Sequence, residues 1–227
     1  MAQDIVTVDL GFVNAYLVKI WQGFVLADTG MASQWGKLTA ALASAGCEPG
    51  LLKLVVLTHA DMDHVGNARR LQSEWKVPIA IHAADVPALE TGKAPKRTGR
   101  GTVAKAMMGI IGLFRGKGEG AERKPILKPD IVLEDGQSLA SWGLDARVIH
   151  LPGHTPGSIA FLTAEGDLVA GDVFANRRRP DVSPFVESFE AYRESLLKAK
   201  SIASSIRRVY PGHGKSFPGA AIPGIEV

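Results

Sequence analysis

The sequence predicts an α/β fold in which strands lead each half of the chain and helices lie between them. Three observations predict it. β-rich runs recur early, at Ile5-Val6-Thr7-Val8, Ala15-Tyr16-Leu17-Val18 and Phe24-Val25-Leu26-Ala27, and again beyond residue 130. Leu54-Val55-Val56-Leu57 is an unbroken apolar run, the pattern of a strand covered on both faces. Segments with helical spacing separate these strands.

The elements follow in order. Residues 4–9 and 13–20 form two strands joined by Leu10-Gly11, and a third strand ends at Asp28-Thr29-Gly30. Residues 33–45 read as a helix with Ser33 as N-cap and Gly46 past its end. A strand at 53–57 precedes a helix of about 64–75, where Val65, Ala68, Leu71, Gln72 and Trp75 recur at helical spacing. Pro78 to His82 is a further strand and 83–90 a short helix. Residues 91–125 break the pattern with Gly and basic residues around an apolar centre, Val103 to Phe114. Strands return at 131–133, 146–151, 158–163 and 167–170. Residues 187–206 are helical, and Arg207-Arg208-Val209-Tyr210 leads into the last His-containing loop.

A chain of 227 residues is expected to form one domain, 1–227, with a substantial core. Apolar content of 46% and charged content of 22% are those of an ordinary soluble protein. The single cysteine, Cys47, excludes an intrachain disulfide, and its Ala-Gly-Cys-Glu-Pro context is a helix end and turn. No window reaches the roughly 20 apolar residues of a membrane span. The Met-Ala-Gln-Asp start lacks the features of a signal peptide, so the expected location is cytoplasmic. Net charge is +3, and its basic part is concentrated: residues 90–130 hold ten Lys/Arg against four acids.

Chemistry concentrates in Thr58-His59-Ala60-Asp61-Met62-Asp63-His64. Two imidazoles and two carboxylates follow a buried strand, and neutral nitrogen with charged oxygen suits a divalent first-row metal. The alternative is a solvated helix start with Asp61 or Asp63 as N-cap. Of six histidines, His59, His64, His154 and His213 lie in Gly/Asp-rich loops at strand ends. His82 and His150 do not, and are expected to be structural, with His150 placed to support the centre from behind.

These motifs resemble the His-x-His-x-Asp-His signature of the metallo-β-lactamase superfamily. Pro152-Gly153-His154-Thr155-Pro156-Gly157-Ser158, Ala170-Gly171-Asp172 and Tyr210-Pro211-Gly212-His213-Gly214 follow in the family's order, and Asp28-Thr29-Gly30 also matches. The resemblance covers about residues 14–216 and implies an αββα sandwich with its site at one edge of the sheets. It implies two adjacent divalent metal ions, zinc first, with iron or manganese as alternatives. His59, Asp61 and His154 would hold one ion, Asp63, His64 and His213 the other, and Asp172 would bridge. Asp61, Asp63 and Asp172 would be the catalytic carboxylates, at a metal-bound hydroxide.

Asp61 departs from the family pattern, which has a second His there. A third carboxylate lowers the net charge of the cluster, makes it less electrophilic and favours harder ions such as iron or manganese. A carboxylate near this position also occurs in the related flavodiiron proteins, which use iron. Asn176, Arg177, Arg178 and Arg179 follow the bridging position and are expected to bind substrate, the arginines gripping a carboxylate or phosphate. The Tyr that lactonases of the superfamily carry just after the bridging Asp is missing.

The predicted function is a metal-dependent hydrolase of a small ester, thioester, lactone or phosphoester. The rivals are a flavodiiron-like iron oxidoreductase lacking its flavin domain and a binding protein with a degenerate metal site. The partner is a small-molecule substrate with an anionic group. The insertion 91–125 is expected to form a lid. Its basic flanks also suit a membrane surface, which is less favoured. Nucleic acid is disfavoured, because Phe114 is its only aromatic. Oligomeric state is left open.

Overall fold

The computed structural model describes residues 4–92, 98, 99 and 127–226. Its first sheet is built from β1 (Ile5–Asp9), β2 (Asn14–Ile20), β3 (Gly23–Ala27), β4 (Leu52–Val56), β5 (Ile79–His82) and β7 (Ile131–Leu133), in that order across the sheet. The β1–β2 and β2–β3 pairs are antiparallel hairpins, and β3, β4, β5 and β7 run parallel. The second sheet runs β14-β13-β10-β9-β8, from β8 (Ala146–His150), β9 (Ile159–Thr163), β10 (Asp167–Asn176), β13 (Arg208–Gly214) and β14 (Phe217–Pro218). Short β11 (Asp181–Val182) folds back on β10.

Alternation along the strands sorts side chains into three apolar layers. Tyr16, Val18, Leu54 and Val56 meet Val148, Ile159, Phe161 and Val169 between the sheets. Leu17 and Val55 point the other way, onto Leu38 and Leu42 of helix α1 (Trp35–Ser44). Leu168 and Ala170 of the second sheet face Tyr192, Leu196 and Ala199 of helix α5 (Phe189–Ser201). Two sheets back to back with a helix layer outside each make the expected αββα sandwich. Because both faces of the central strands are covered, their sequences carry no polar alternation. Cys47 is fully buried in the first helix-facing layer, and burial pushes its thiol up to about 12, so it stays a neutral packing group.

Several elements differ from the sequence expectation. Ser33 does not cap α1. A 3₁₀ turn at Ala32–Gln34 precedes the helix, and the Gln34 side chain accepts the Met31 N–H at 2.7 Å and donates to the Leu10 carbonyl at 2.7 Å. The expected helix 64–75 is broken into α2 (Met62–Val65), α3 (Ala68–Arg70) and a π turn at Leu71–Trp75. The Gly66 N–H donates to the Gly30 carbonyl and the Asn67 N–H to Thr29 Oγ1, so the ladder is diverted into the β3–α1 loop. Val65, Ala68 and Leu71 are still buried, so the apolar spacing is met by separate turns. The strand expected at 167–170 continues to Asn176. The helix expected at 187–206 is α5, begun by Ser188 Oγ accepting the Ala191 N–H, followed by a 3₁₀ turn at Ala203–Ser205.

The readings of 91–125 as a lid, membrane-surface segment or nucleic-acid arm lie largely outside the described residues. Within them, α4 (Val86–Thr91) ends at Gly92, and β6 (Thr98–Gly99) pairs antiparallel with β12 (Phe185–Val186). Among the described residues no helix is long and apolar enough to cross a membrane.

Candidate metal centre

The ends of β3 and β4, the β8–β9 loop, and β10 and β13 all open on one edge of the sandwich. The β10–β13 register slips twice between Val169 and Ala175, and such irregularities re-aim side chains. Asp172 lies within the second slip, between Gly171 and Ala175. Gly171, at φ 48°, lets the strand pass against the Thr58 hydroxyl, where a Cβ would collide. The two sheets are tied beside this edge: Tyr16 Oη donates to the Pro211 carbonyl at 2.6 Å, and Asn14 Nδ2 donates to Gly214 O at 2.7 Å.

The sequence-predicted donors meet here. One atom each from His59, His154 and Asp172 lie within 4.8 Å of one another, as do atoms from Asp63, His64 and His213. Asp172 touches both groups. Its Oδ1 is 3.3 Å from His64 Nε2, and its Oδ2 is 3.2 Å from His213 Nε2 and 3.6 Å from His154 Nε2. Asp61 stands beside the first group, with Oδ2 3.1 Å from His154 Nε2 and 3.4 Å from His59 Nε2. The backbone of Asp61 is the N-cap of α2, but its side chain makes no capping bond. That overturns the solvated-cap alternative for Asp61.

Each histidine is held from behind through Nδ1. His154 Nδ1 faces the Phe185 carbonyl at 2.8 Å, and His213 Nδ1 faces the Phe12 carbonyl at 2.7 Å. A carbonyl only accepts, so both Nδ1 atoms carry the proton. His64 Nδ1 lies 2.8 Å from Asp28 Oδ2. Thr58 Oγ1 donates its one proton to the same Asp28 oxygen at 2.7 Å, so at 3.0 Å it accepts from His59 Nδ1. In the neutral rings, all four Nε2 lone pairs therefore aim into the centre.

Sequence reasoning left Asp28, Thr58, Asp85, Phe12 and Phe185 out of the site. Asp28 had a signal in the Asp-Thr-Gly tripeptide at a strand end. Asp85 had none. It is 1% exposed and accepts from Ala60 N, Thr155 Oγ1 and Gly157 N at 2.7–2.8 Å, clamping the His59–Asp61 loop to the His154 loop. His82 and His150 stack 3.9 Å apart, and His150 Nε2 donates to the Pro156 carbonyl, supporting the His154 loop from behind.

A cavity of about 580 Å³ opens above Asp61, Asp63 and Asp172. Phe12, Val182, Pro184 and Phe185 supply apolar wall, and Arg177, Arg178 and Arg179 line it too. Asn176 does not reach this cavity; its Nδ2 donates to the Lys215 carbonyl at 2.9 Å.

The model described as the metallo-beta-lactamase superfamily matches residues 8–213. The chain belongs to the metallo-beta-lactamase superfamily. "Probable metallo-hydrolase YflN" of Bacillus subtilis is 30% identical over 91% of this chain and 82% of its own. "Probable metallo-hydrolase MJ0888" of Methanocaldococcus jannaschii is 27% identical over 89% and 87%. The crystal structure of TTHA1623 in a di-iron-bound form is 30% identical, with a TM-score of 0.61 over 92% of this chain and 90% of that one. BJP-1, a subclass B3 metallo-beta-lactamase of Bradyrhizobium japonicum, shares the fold with a TM-score of 0.68 at 23% identity, over 93% and 75%. The protein is a metallo-hydrolase of this superfamily, and membership implies divalent metal ions.

The residues present fit such ions. His59 Nε2, His64 Nε2 and Asp172 Oδ1 are buried and make no hydrogen bond, which is costly for polar atoms unless a cation meets them. Burial pulls the His213 imidazole down, but the Asp172 carboxylate outweighs it and raises the group to about 9. Burial acts the same way on His64, and Asp28 and Asp172 override it, raising it well above its ordinary value. Burial alone would raise Asp172, but His213 and His64 hold it well below the carboxylate range. Protons thus neutralise the carboxylates of the protein groups taken alone, and a divalent ion must displace them. Loading the apoprotein at pH 7 should release protons, with affinity climbing about tenfold per pH unit for each proton displaced, up to about pH 9. Calorimetry in buffers of differing ionisation enthalpy measures this. A heat independent of buffer would show that neither imidazole is protonated.

Proposed function

We propose that this single-domain chain hydrolyses a small ester, thioester, lactone or phosphoester carrying an anionic group. The observation that supports the reading most is the set of four imidazoles with Nδ1 engaged and Nε2 turned onto three carboxylates at the floor of a half-apolar cavity. In this reading His59, Asp61 and His154 would hold one divalent ion, Asp63, His64 and His213 would hold a second, and Asp172, within reach of both groups, would help to hold them. Bound there, the ions would supply Lewis acidity and lower the pKa of water.

The chain's own groups do the rest. Phe12, Val182, Pro184 and Phe185 shelter the reacting bond from bulk water. Asp61 and Asp63 lie on the cavity floor, where they can take up a proton as water attacks. The Arg177–Arg179 run faces the substrate's negative charge. Zinc is the first candidate metal. Iron has specific support from the extra oxygen donor Asp61 and from TTHA1623, whose structure is di-iron-bound.

The test is elemental analysis of protein purified without added metal, beside hydrolysis assays on ester, thioester, lactone and phosphoester panels. About two ions per chain are expected, with turnover falling at least about 100-fold on chelation and returning with a divalent ion. Turnover indifferent to chelation would overturn the reading. Metal without turnover on any panel would favour the binding protein, and iron with redox activity the oxidoreductase.

A further inference from the structure

We propose that a basic groove beside the cavity binds the phosphate of a phosphorylated substrate arm, while the bond to be cleaved lies over the carboxylates. This rests on the hydrolase reading and names its substrate class. The groove, about 570 Å³, is lined by Arg177, Arg178 and Lys215 with Phe12, Asn176 and neighbouring glycines, and among the described residues no acid lines it. It shares Phe12, Arg177 and Arg178 with the main cavity, so one ligand can occupy both spaces by crossing that ridge.

The ridge is fixed to the centre. The Arg177 guanidinium lies 4.4 Å over the Phe12 ring, and that ring meets His213 edge-on at 4.8 Å. The Phe12 carbonyl takes the His213 Nδ1 proton at 2.7 Å. The cations sit on two clamped segments: Lys215 N donates to the Asn176 carbonyl at 3.1 Å, and Asn176 Nδ2 donates back to the Lys215 carbonyl at 2.9 Å. Gly214, at φ 89°, permits this approach, since a Cβ there would strike the Asn176 carbonyl.

Among the described residues, no carboxylate pairs with Arg177, Arg178 or Lys215. Three positive side chains gathered without a counter-charge repel one another, and a bound dianion relieves this. A carboxylate offers one charge. A phosphate monoester offers about −1.5 to −2 and three acceptor oxygens, the better match to three cations. In the main cavity the floor of Asp61, Asp63 and Asp172 is where the bond to be cleaved lies, so the phosphate at the other end of the substrate falls to the groove.

The test uses the holoenzyme and two thioesters that differ only in the phosphate, S-acetylpantetheine and S-acetyl-4′-phosphopantetheine. Hydrolysis breaks the acyl C–S bond, with water supplying the acetate oxygen and the thiol proton. KM should be at least about tenfold lower for the phosphorylated member. Lys215→Glu and Arg178→Glu should each collapse that ratio, with Lys215→Met intermediate. The thioether S-methyl-4′-phosphopantetheine, which cannot be hydrolysed, should bind the wild type at least about tenfold tighter than Lys215→Glu by calorimetry. Equal KM values for the pair, or thioether affinity unmoved by Lys215→Glu, would overturn the groove and leave the hydrolase reading standing. Charge-dependent thioether binding without thioester turnover would support the groove and count against thioesters as substrate.

Discussion

Asp28→Asn should fold, lose metal affinity by about 10–100-fold and lower hydrolysis at least as much, although Asp28 touches none of the carboxylates on the cavity floor. The carboxylate is 2% exposed and takes three protons: Thr58 N–H on Oδ1 at 2.8 Å, and Thr58 Oγ1–H and His64 Nδ1–H on Oδ2 at 2.7 and 2.8 Å. Through Thr58 it fixes the proton of His59, and directly it fixes the proton of His64. An amide keeps one acceptor and replaces the other with a donor. If the remaining oxygen keeps Thr58 N–H, the NH₂ faces His64 Nδ1 and Thr58 Oγ1. His64 can answer only by moving its proton to Nε2, and Thr58 by turning its hydroxyl toward His59. Both changes put a proton where a lone pair belongs.

The backbone makes Asn the informative choice. Asp28 is at φ 60°, in the left-handed region that Asn tolerates and Ala resists. Asp28→Ala should therefore lose metal too, but with added loss of stability, because it strains the backbone and leaves the buried Thr58 N–H without its acceptor, at about 1–3 kcal/mol. Metal titration, thermal melts and ¹⁵N shifts of the imidazoles separate the two effects. Asp28→Asn with wild-type affinity and an unmoved His64 tautomer would show that Asp28 serves folding only.

This network shows how far the sequence could be read. The donors His59, Asp61, Asp63, His64, His154, Asp172 and His213 each sit in a short motif with Gly or Asp neighbours, so their grouping was legible. Their support was not. Asp28 and Thr58 are 30 residues apart and meet only because β3 and β4 pair in parallel, and Asp85 reaches Gly157 across 72 residues. The buried strands were legible in the unbroken apolar runs, and the two-sheet architecture was what the family resemblance implied. The end of β10 was not, because Asp172, Asn176 and the arginines are polar and look like a loop. The strand persists there because β13 and β11 pair with it. The helix read at 64–75 failed for the same reason: its apolar period was real, but the N–H groups of Gly66 and Asn67 found partners in a loop more than 30 residues upstream.

Replacing Asp61 should give the largest change in metal selectivity. Its Oδ2 lies 3.1 Å from His154 Nε2 and 3.4 Å from His59 Nε2, so it shares their point of convergence. Burial would raise this carboxyl, but the two imidazoles hold it well below its ordinary range, and it remains charged at neutral pH. In the proposed reading, Asp61→Ala should reduce metal content toward one ion per chain and cut kcat by at least about 100-fold, since one half of the proposed two-metal clamp is lost. Asp61→His should exchange a carboxylate donor for an imidazole. A nitrogen replaces an oxygen, so zinc should gain on iron and manganese in competition experiments. One negative charge also leaves the cavity floor. Any group there that must lose a proton for activity then does so more easily, and the acidic limb of the pH–rate profile should move to lower pH. Asp61→Asn keeps the size of the side chain and the backbone N-cap of α2, so it isolates the charge. It should retain the fold and behave like Asp61→Ala in metal content. Two ions retained in all three variants, with metal preference and pH profile unmoved, would remove Asp61 from the centre.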